Sequence, residues 1–244
     1  MNAKIGRGED MRHRTSGQAA RSAAALALLL ALASCGRANP PPPGWPGAPG
    51  NPTPYPTVTR ATAAFEACVA ELTALDVRFS PTPDRIDSEA CRVEGAGALV
   101  ADMAVRNSLS PGRPVMTCRL AGDLTAWRRD LDAIAREILA AEVQTIDHYG
   151  VYACRTVSNR PGARMSAHAR AEAIDIAGFR LTDGRRITVA ADWSGEGPGG
   201  DEGARFLRAV RDAGCRRFGT VLSPDYDAAH EDHLHLEPGG RLCR

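Results

Sequence analysis

In the central part of the chain apolar residues recur at three- and four-residue steps, at Leu124, Trp127, Leu131, Ile134 and Ile138. That is the period of a helix with one buried face, and it predicts a helix over residues 123–141 with Asp123 as its N-cap. Two further helices are expected ahead of it, over residues 61–76 and 88–106. Gly95 and Gly97 weaken the second. Past residue 142 the period shortens to β-like runs at residues 143–146, 151–157, 173–181, 186–191, 218–222 and 233–236. One more helix, over residues 202–213, ends at the stop signal Gly214. Helices followed by a small, mostly antiparallel sheet make an α+β fold with N-terminal helices flanking the sheet.

Two of the strand-like runs carry polar side chains on one face. In Ala-Ile-Asp-Ile-Ala, Ile174 and Ile176 share a face and leave Asp175 on the other, between the small residues Ala173 and Ala177. In the last run, Leu234 and Leu236 turn to the core while His233 and His235 point the opposite way. Of the six histidines, four stand at positions 168, 230, 233 and 235. A turn at Arg160-Pro-Gly-Ala163 can carry His168 back over the strand to meet Asp175. Neutral imidazole nitrogens and carboxylate oxygens are zinc donors, and a catalytic zinc takes three of them with a fourth position open. Outside this set, His148 reads as a turn residue and Glu172 and Asp192 as solvated carboxylates. The Gly-rich stretch 195–203 reads as a mobile rim over a cleft.

Composition narrows the setting. Thirty basic residues balance 29 acidic ones for a formal charge of +1, and with no basic stripe there is no case for nucleic acid as a partner. The chain is long enough for one good core. Residues 1–35 read as a signal peptide: Arg12, Arg14 and Arg21 precede an apolar run at residues 22–33 that is too short to span a bilayer. Leu32-Ala-Ser-Cys35 resembles a bacterial lipobox, which would make Cys35 the lipidated first residue of the mature protein, and Gly36 after it favours the periplasmic face of the outer membrane. Residues 36–59 are Pro- and Gly-rich and form a semi-rigid spacer. The folded domain is expected over residues 60–244. With Cys35 set aside, Cys68, Cys91, Cys118, Cys154, Cys215 and Cys243 form an even set, which in an oxidising compartment suggests three disulfides of open pairing.

Ser166-Ala-His168-Ala-Arg-Ala-Glu-Ala-Ile-Asp175 resembles the Ser-x-His-x6-Asp motif of zinc D-Ala-D-Ala peptidases. Their superfamily also holds lysostaphin-type enzymes, murein endopeptidases and the hedgehog fold. His230-x-x-His233-x-His235 is similar in spacing to the murein endopeptidase group. Over the whole domain, from about Phe65 to Cys243, the chain resembles the bacterial extensin-like C-terminal family, including its Cys154-Arg155, Asp192-Trp193 and Asp232-His-Leu-His235 blocks. The resemblance implies one zinc ion on His168, Asp175 and His235, with His233 beside it. It also implies a peptidoglycan substrate and an arginine, Arg155, that steadies a substrate carbonyl or carboxylate. Ser166 and His230 become substrate contacts. The general base is expected in the order His233, Asp232, His230, because strict alternation turns Asp232 away from the metal face. Ala171 stands where a glycine is often found, and Met165 where the murein endopeptidases have a further histidine. Two functions follow as expectations: hydrolysis of an amide bond in peptidoglycan peptides or cross-links, or a catalytically silent zinc-containing module that grips the wall.

Overall fold

A computed structural model describes residues 62–244; the expected signal segment, Cys35 and the spacer over residues 36–59 lie outside the described residues. Thr62 opens the first element, its hydroxyl accepting from the Phe65 amide at 3.2 Å to cap helix α1 (Ala63–Ala74). Strands β1 (Val77–Pro81), β2 (Arg85–Ile86), β3 (Arg92–Val93), β4 (Ala96–Asp102), β5 (Ser108–Ser110) and β6 (Val115–Thr117) precede the long helix α2 (Cys118–Leu139). After it come β7 (Val143–Gly150), β8 (Ile174–Leu181), β9 (Arg186–Thr188), the short helix α3 (Val189–Asp192), helix α4 (Gly200–Cys215), β10 (Thr220–Leu222), β11 (Leu234–Glu237) and β12 (Leu242–Cys243). The class is α+β. Among the described residues no helix is long and apolar enough to cross a membrane.

The principal sheet runs β12-β10-β11-β8-β7-β5, with β9 on the free half of β8, and is seven-stranded. β8 is its organiser, pairing along one edge with β7 and along the other first with β11 and then with β9. The simple alternation read over residues 173–181 holds only for the first half of β8. Ile174 and Ile176 are buried in the core, but beyond Ala177 the buried positions shift to Phe179 and Leu181. The pairing with β7 shows why: register slips between Asp147 and His148, leaving Ala177 as the extra residue of a bulge.

Helix α2 lays Leu124, Trp127, Leu131 and Ala135 into the core, while Ile134 and Ile138 of the same stripe are only partly buried. The Trp127 indole N–H donates to the Val210 carbonyl of α4 at 3.1 Å, and its ring meets Phe179 at 6.3 Å and Phe218 at 6.5 Å. One side chain thus ties both long helices to the sheet. Trp127→Ala is expected to cost about 3–5 kcal/mol, the range for removing a large buried aromatic. Urea unfolding monitored by circular dichroism checks this, and a loss below about 1 kcal/mol would contradict it.

Three readings change. Residues 88–106 are not a second N-terminal helix but β3, β4 and their connections. Gly95 takes φ +60°, and a Cβ on Gly97 would sit 2.6 Å from the Phe79 ring and the Ser80 carbonyl oxygen. The two glycines that weaken a helix are therefore a turn and a close strand contact. Helix α2 begins at Cys118, capped by Thr117 rather than Asp123, since Gly122 is tolerated inside a helix held by packing. Residues 151–157 form no strand beyond a bridge between Thr156 and Met165.

All six cysteines of the folded part pair, as Cys68–Cys118, Cys91–Cys154 and Cys215–Cys243. They tie α1 to α2, the start of β3 to the segment after β7, and the end of α4 to β12.

Candidate metal centre

The site forms where β8 and β11 lie side by side. Their register sets His235 directly opposite Asp175, with the flanking pairs Leu234–Ile176 and Leu236–Ile174 directed into the core. Alternation thereby puts a carboxylate and an imidazole next to each other on the far face. His168 arrives from the segment between β7 and β8. Residues 160–163 turn, with the Ala163 amide donating to the Arg160 carbonyl at 3.2 Å, and the chain returns to a short 3-10 turn, Ala167–Arg170. Ser166 caps that turn by accepting from the His168 amide. Ala171 ends it in a left-handed conformation at φ 53°, which explains why glycine suits that position.

The three side chains converge, and all three residues are buried. His168 Nε2 lies 3.1 Å from Asp175 Oδ1 and 3.2 Å from His235 Nδ1, and His235 Nδ1 lies 3.0 Å from Asp175 Oδ1. They form the one group among the described residues able to offer three donors to a metal ion. Partners behind them set the ring orientations. His168 Nδ1 donates to the Val151 carbonyl at 2.8 Å, which aims Nε2 at Asp175 and His235. His235 Nε2 faces the Glu237 carboxylate at 3.4 Å.

Burial alone would raise the Asp175 carboxyl. Hydrogen bonds from His168 and His235 outweigh it and hold Asp175 well below the usual carboxylate range. Burial would likewise lower His235, but the carboxylates of Asp175 and Glu237 on either side raise it to about 9. The proton on His235 therefore stabilises the metal-free fold fully below its unfolded pKa near 6.5, and that contribution disappears as pH rises through about 9. Asp175 acts in the other direction, stabilising above its unfolded pKa of 3.8 and ceasing to do so in strong acid. In chelator the unfolding free energy is thus expected to fall between pH 7 and pH 10 by an amount on the order of a few kcal/mol, and the thermal midpoint to fall with it. A flat or rising midpoint over that range would contradict the charge arrangement.

Around this core stand the remaining predicted residues. His233 Nδ1 meets Asp232 Oδ1 at 2.7 Å, so its Nε2 faces the cluster, 3.5 Å from Asp175 Oδ1. Asp232 lies in the turn ahead of β11 and aims His233. His230 is paired with Asp227 at 2.6 Å, its ring 5.2 Å from that of His233, and burial pushes its pKa below 6.5. A cleft of about 340 Å³ opens here, lined among others by Arg155, Ser166, His230, His233 and His235.

Several contributors were not singled out from sequence. Glu237 stands two residues after His235 on the same strand face, a spacing that could have flagged it. Tyr149, 60% exposed, sets its ring 6.0 Å from His233; partial burial and the neighbouring Asp232 carboxylate raise its pKa. Other expectations fail. His148 is no turn residue but a buried member of β7, its Nε2 2.8 Å from the Pro111 carbonyl oxygen. Asp192 is 1% exposed rather than solvated, accepting from the Thr188 and Gly199 amides at 2.7 Å each. That anchor pins the Gly-rich stretch 195–203, which supplies none of the cleft lining. Glu172 does keep a solvent-exposed side chain, paired with Arg170.

No curated protein and no solved structure matches the chain. The family described as extensin-like protein C-terminus matches residues 66–244, the folded part almost entire. The chain belongs to that family.

Proposed function

We propose that this is a metallopeptidase of the cell envelope, with one zinc ion on His168, Asp175 and His235 and an amide bond of peptidoglycan peptides or cross-links as substrate. The observation that carries the reading is the mutual spacing of the three donors. Ligands about 2.0–2.1 Å from a tetrahedral zinc stand roughly 3.3 Å apart, and separations of 3.0–3.2 Å need little adjustment. The fold is read with them as akin to that of the D-Ala-D-Ala peptidases and hedgehog.

Bound zinc would polarise a carbonyl and acidify water. The protein's own residues do the rest. His233 accepts the proton at Nε2, held in place by Asp232 at Nδ1. Arg155, on the cleft wall, presents a planar fork of donors to a peptide carbonyl or carboxylate. Ser166 and His230 stand where the peptide backbone would lie. In this reading the chain is exported and lipidated on Cys35, facing the periplasm from the outer membrane. Support comes from the three disulfides, which suit an oxidising compartment.

The experiment is digestion of purified sacculi by zinc-loaded protein beside a His235→Ala variant, with muropeptides resolved by mass spectrometry. New fragments from the natural sequence alone are expected. If the zinc-loaded protein binds sacculi and releases nothing, the peptidase reading fails in favour of the silent wall-gripping module. Loss of acyl labelling in Cys35→Ala tests the anchor separately.

A further inference from the structure

The cleft carries more positive charge than holding one carbonyl requires. Arg155, Arg160 and Arg164 line it from the segment that turns back to His168, and Arg241 lines it from the C-terminal stretch. Arg160, Arg164 and Arg241 are exposed. Among the described residues no side-chain hydrogen bond or ion pair engages any of the four, whereas Arg85, Arg136, Arg180, Arg186, Arg211 and Arg217 are each matched to a carboxylate elsewhere on the surface. The two carboxylates in the lining, Asp227 and Glu237, are turned to His230 and His235. In a chain of formal charge +1, four unpaired guanidinium groups thus gather in one concave place beside the donor cluster.

Both supports are held firmly. Cys91–Cys154 fixes the chain one residue before Arg155, and the Val157 amide donates to the Arg164 carbonyl at 2.9 Å, closing the turn that displays Arg160. Cys215–Cys243 and the parallel pairing of β12 with β10 hold the stretch around Arg241. Arginines carried on two separately held segments suit a ligand with several carboxylates, each met by a planar fork.

We infer that the cleft selects an acidic peptide, with Arg160, Arg164 and Arg241 reading carboxylates away from the donor cluster. This rests on the peptidase reading for the choice of a peptide, and it names specificity-determining residues for that same site.

The test uses the purified full chain and a rhodamine-labelled hexapeptide carrying three glutamates, beside its glutamine counterpart, in fluorescence anisotropy. All arms run both in chelator and with zinc, so that failure of metal chemistry and failure of acidic selection read out separately. The glutamate peptide is expected to bind roughly tenfold tighter at low salt, the scale of two exposed ion pairs, with the advantage shrinking as salt rises. Arg160→Gln/Arg164→Gln/Arg241→Gln should erase it. These side chains have no internal partner to lose, and thermal melting of the single variants Arg160→Gln and Arg241→Gln controls for folding, each expected to remove part of the preference. Equal binding of the two peptides, or an undiminished preference in the folded triple variant, would overturn the inference. So would tighter binding of tripolyphosphate than of the acidic peptide, which would mark the cleft as a phosphate site.

Discussion

A His235→Ala chain is expected not to hold the proposed zinc: elemental analysis after dialysis against equimolar zinc should return close to one ion per chain for the natural sequence and close to none for the variant. The reason lies in the number of donors. Among the described residues His168, Asp175 and His235 are the whole of the proposed donor set, and two donors leave a zinc ion short of the three protein ligands that even an open site needs. Loss of an outer partner of a zinc ligand typically weakens metal binding by about 10–100-fold, and loss of a ligand itself should exceed that. The core contacts of β11, from Leu234 and Leu236, are untouched, but the buried pairing of His235 with Asp175 is lost, so circular dichroism must show the variant folded before its zinc is counted. Glu237→Gln gives the graded comparison, weaker zinc binding with the site retained. Stoichiometric zinc in the His235→Ala variant would dismiss the proposed ligand set.

Replacing His233 by alanine should separate metal from chemistry. His233 Nε2 sits 3.5 Å from Asp175 Oδ1 without belonging to the donor group, so His233→Ala is expected to keep one zinc per chain. Cleavage of sacculi should fall by about 10²–10⁴-fold, the usual worth of a positioned acid–base group. Asp232→Asn should lie between, since it leaves the imidazole in place and removes only the carboxylate that aims it. An active His233→Ala variant would move the proton transfer to another residue. A variant that also loses zinc would place His233 among the ligands.

Much of the site was readable because strand alternation is local. Ile174–Asp175–Ile176 and Leu234–His235–Leu236 each state which side chains face the core from three consecutive residues, and period two needs no knowledge of the rest of the chain. The stripe on α2 was readable for the same reason. Failure came where two periods fit one segment. Over residues 88–106 the apolar spacing allowed helix, and only the Cys91–Cys154 link and the pairing of β4 with β1 and β6 decided for strand. The burial of Asp192 is not legible in the sequence, because nothing nearby announces that two amides will surround it.

By itself the sequence determined the α+β class, the even cysteine set and the residues able to donate to a metal. Tertiary structure decided what those residues meet. The register of β8 against β11 puts His235 opposite Asp175, 60 positions away, and no local pattern encodes a register between distant strands. The disulfides join cysteines 50, 63 and 28 positions apart, a matter of which chain segments pack together. The gathering of unpaired arginines in the cleft also appears only in three dimensions, because side chains from residues 155–164 and residue 241 come together solely through the turn toward His168 and the parallel docking of β12.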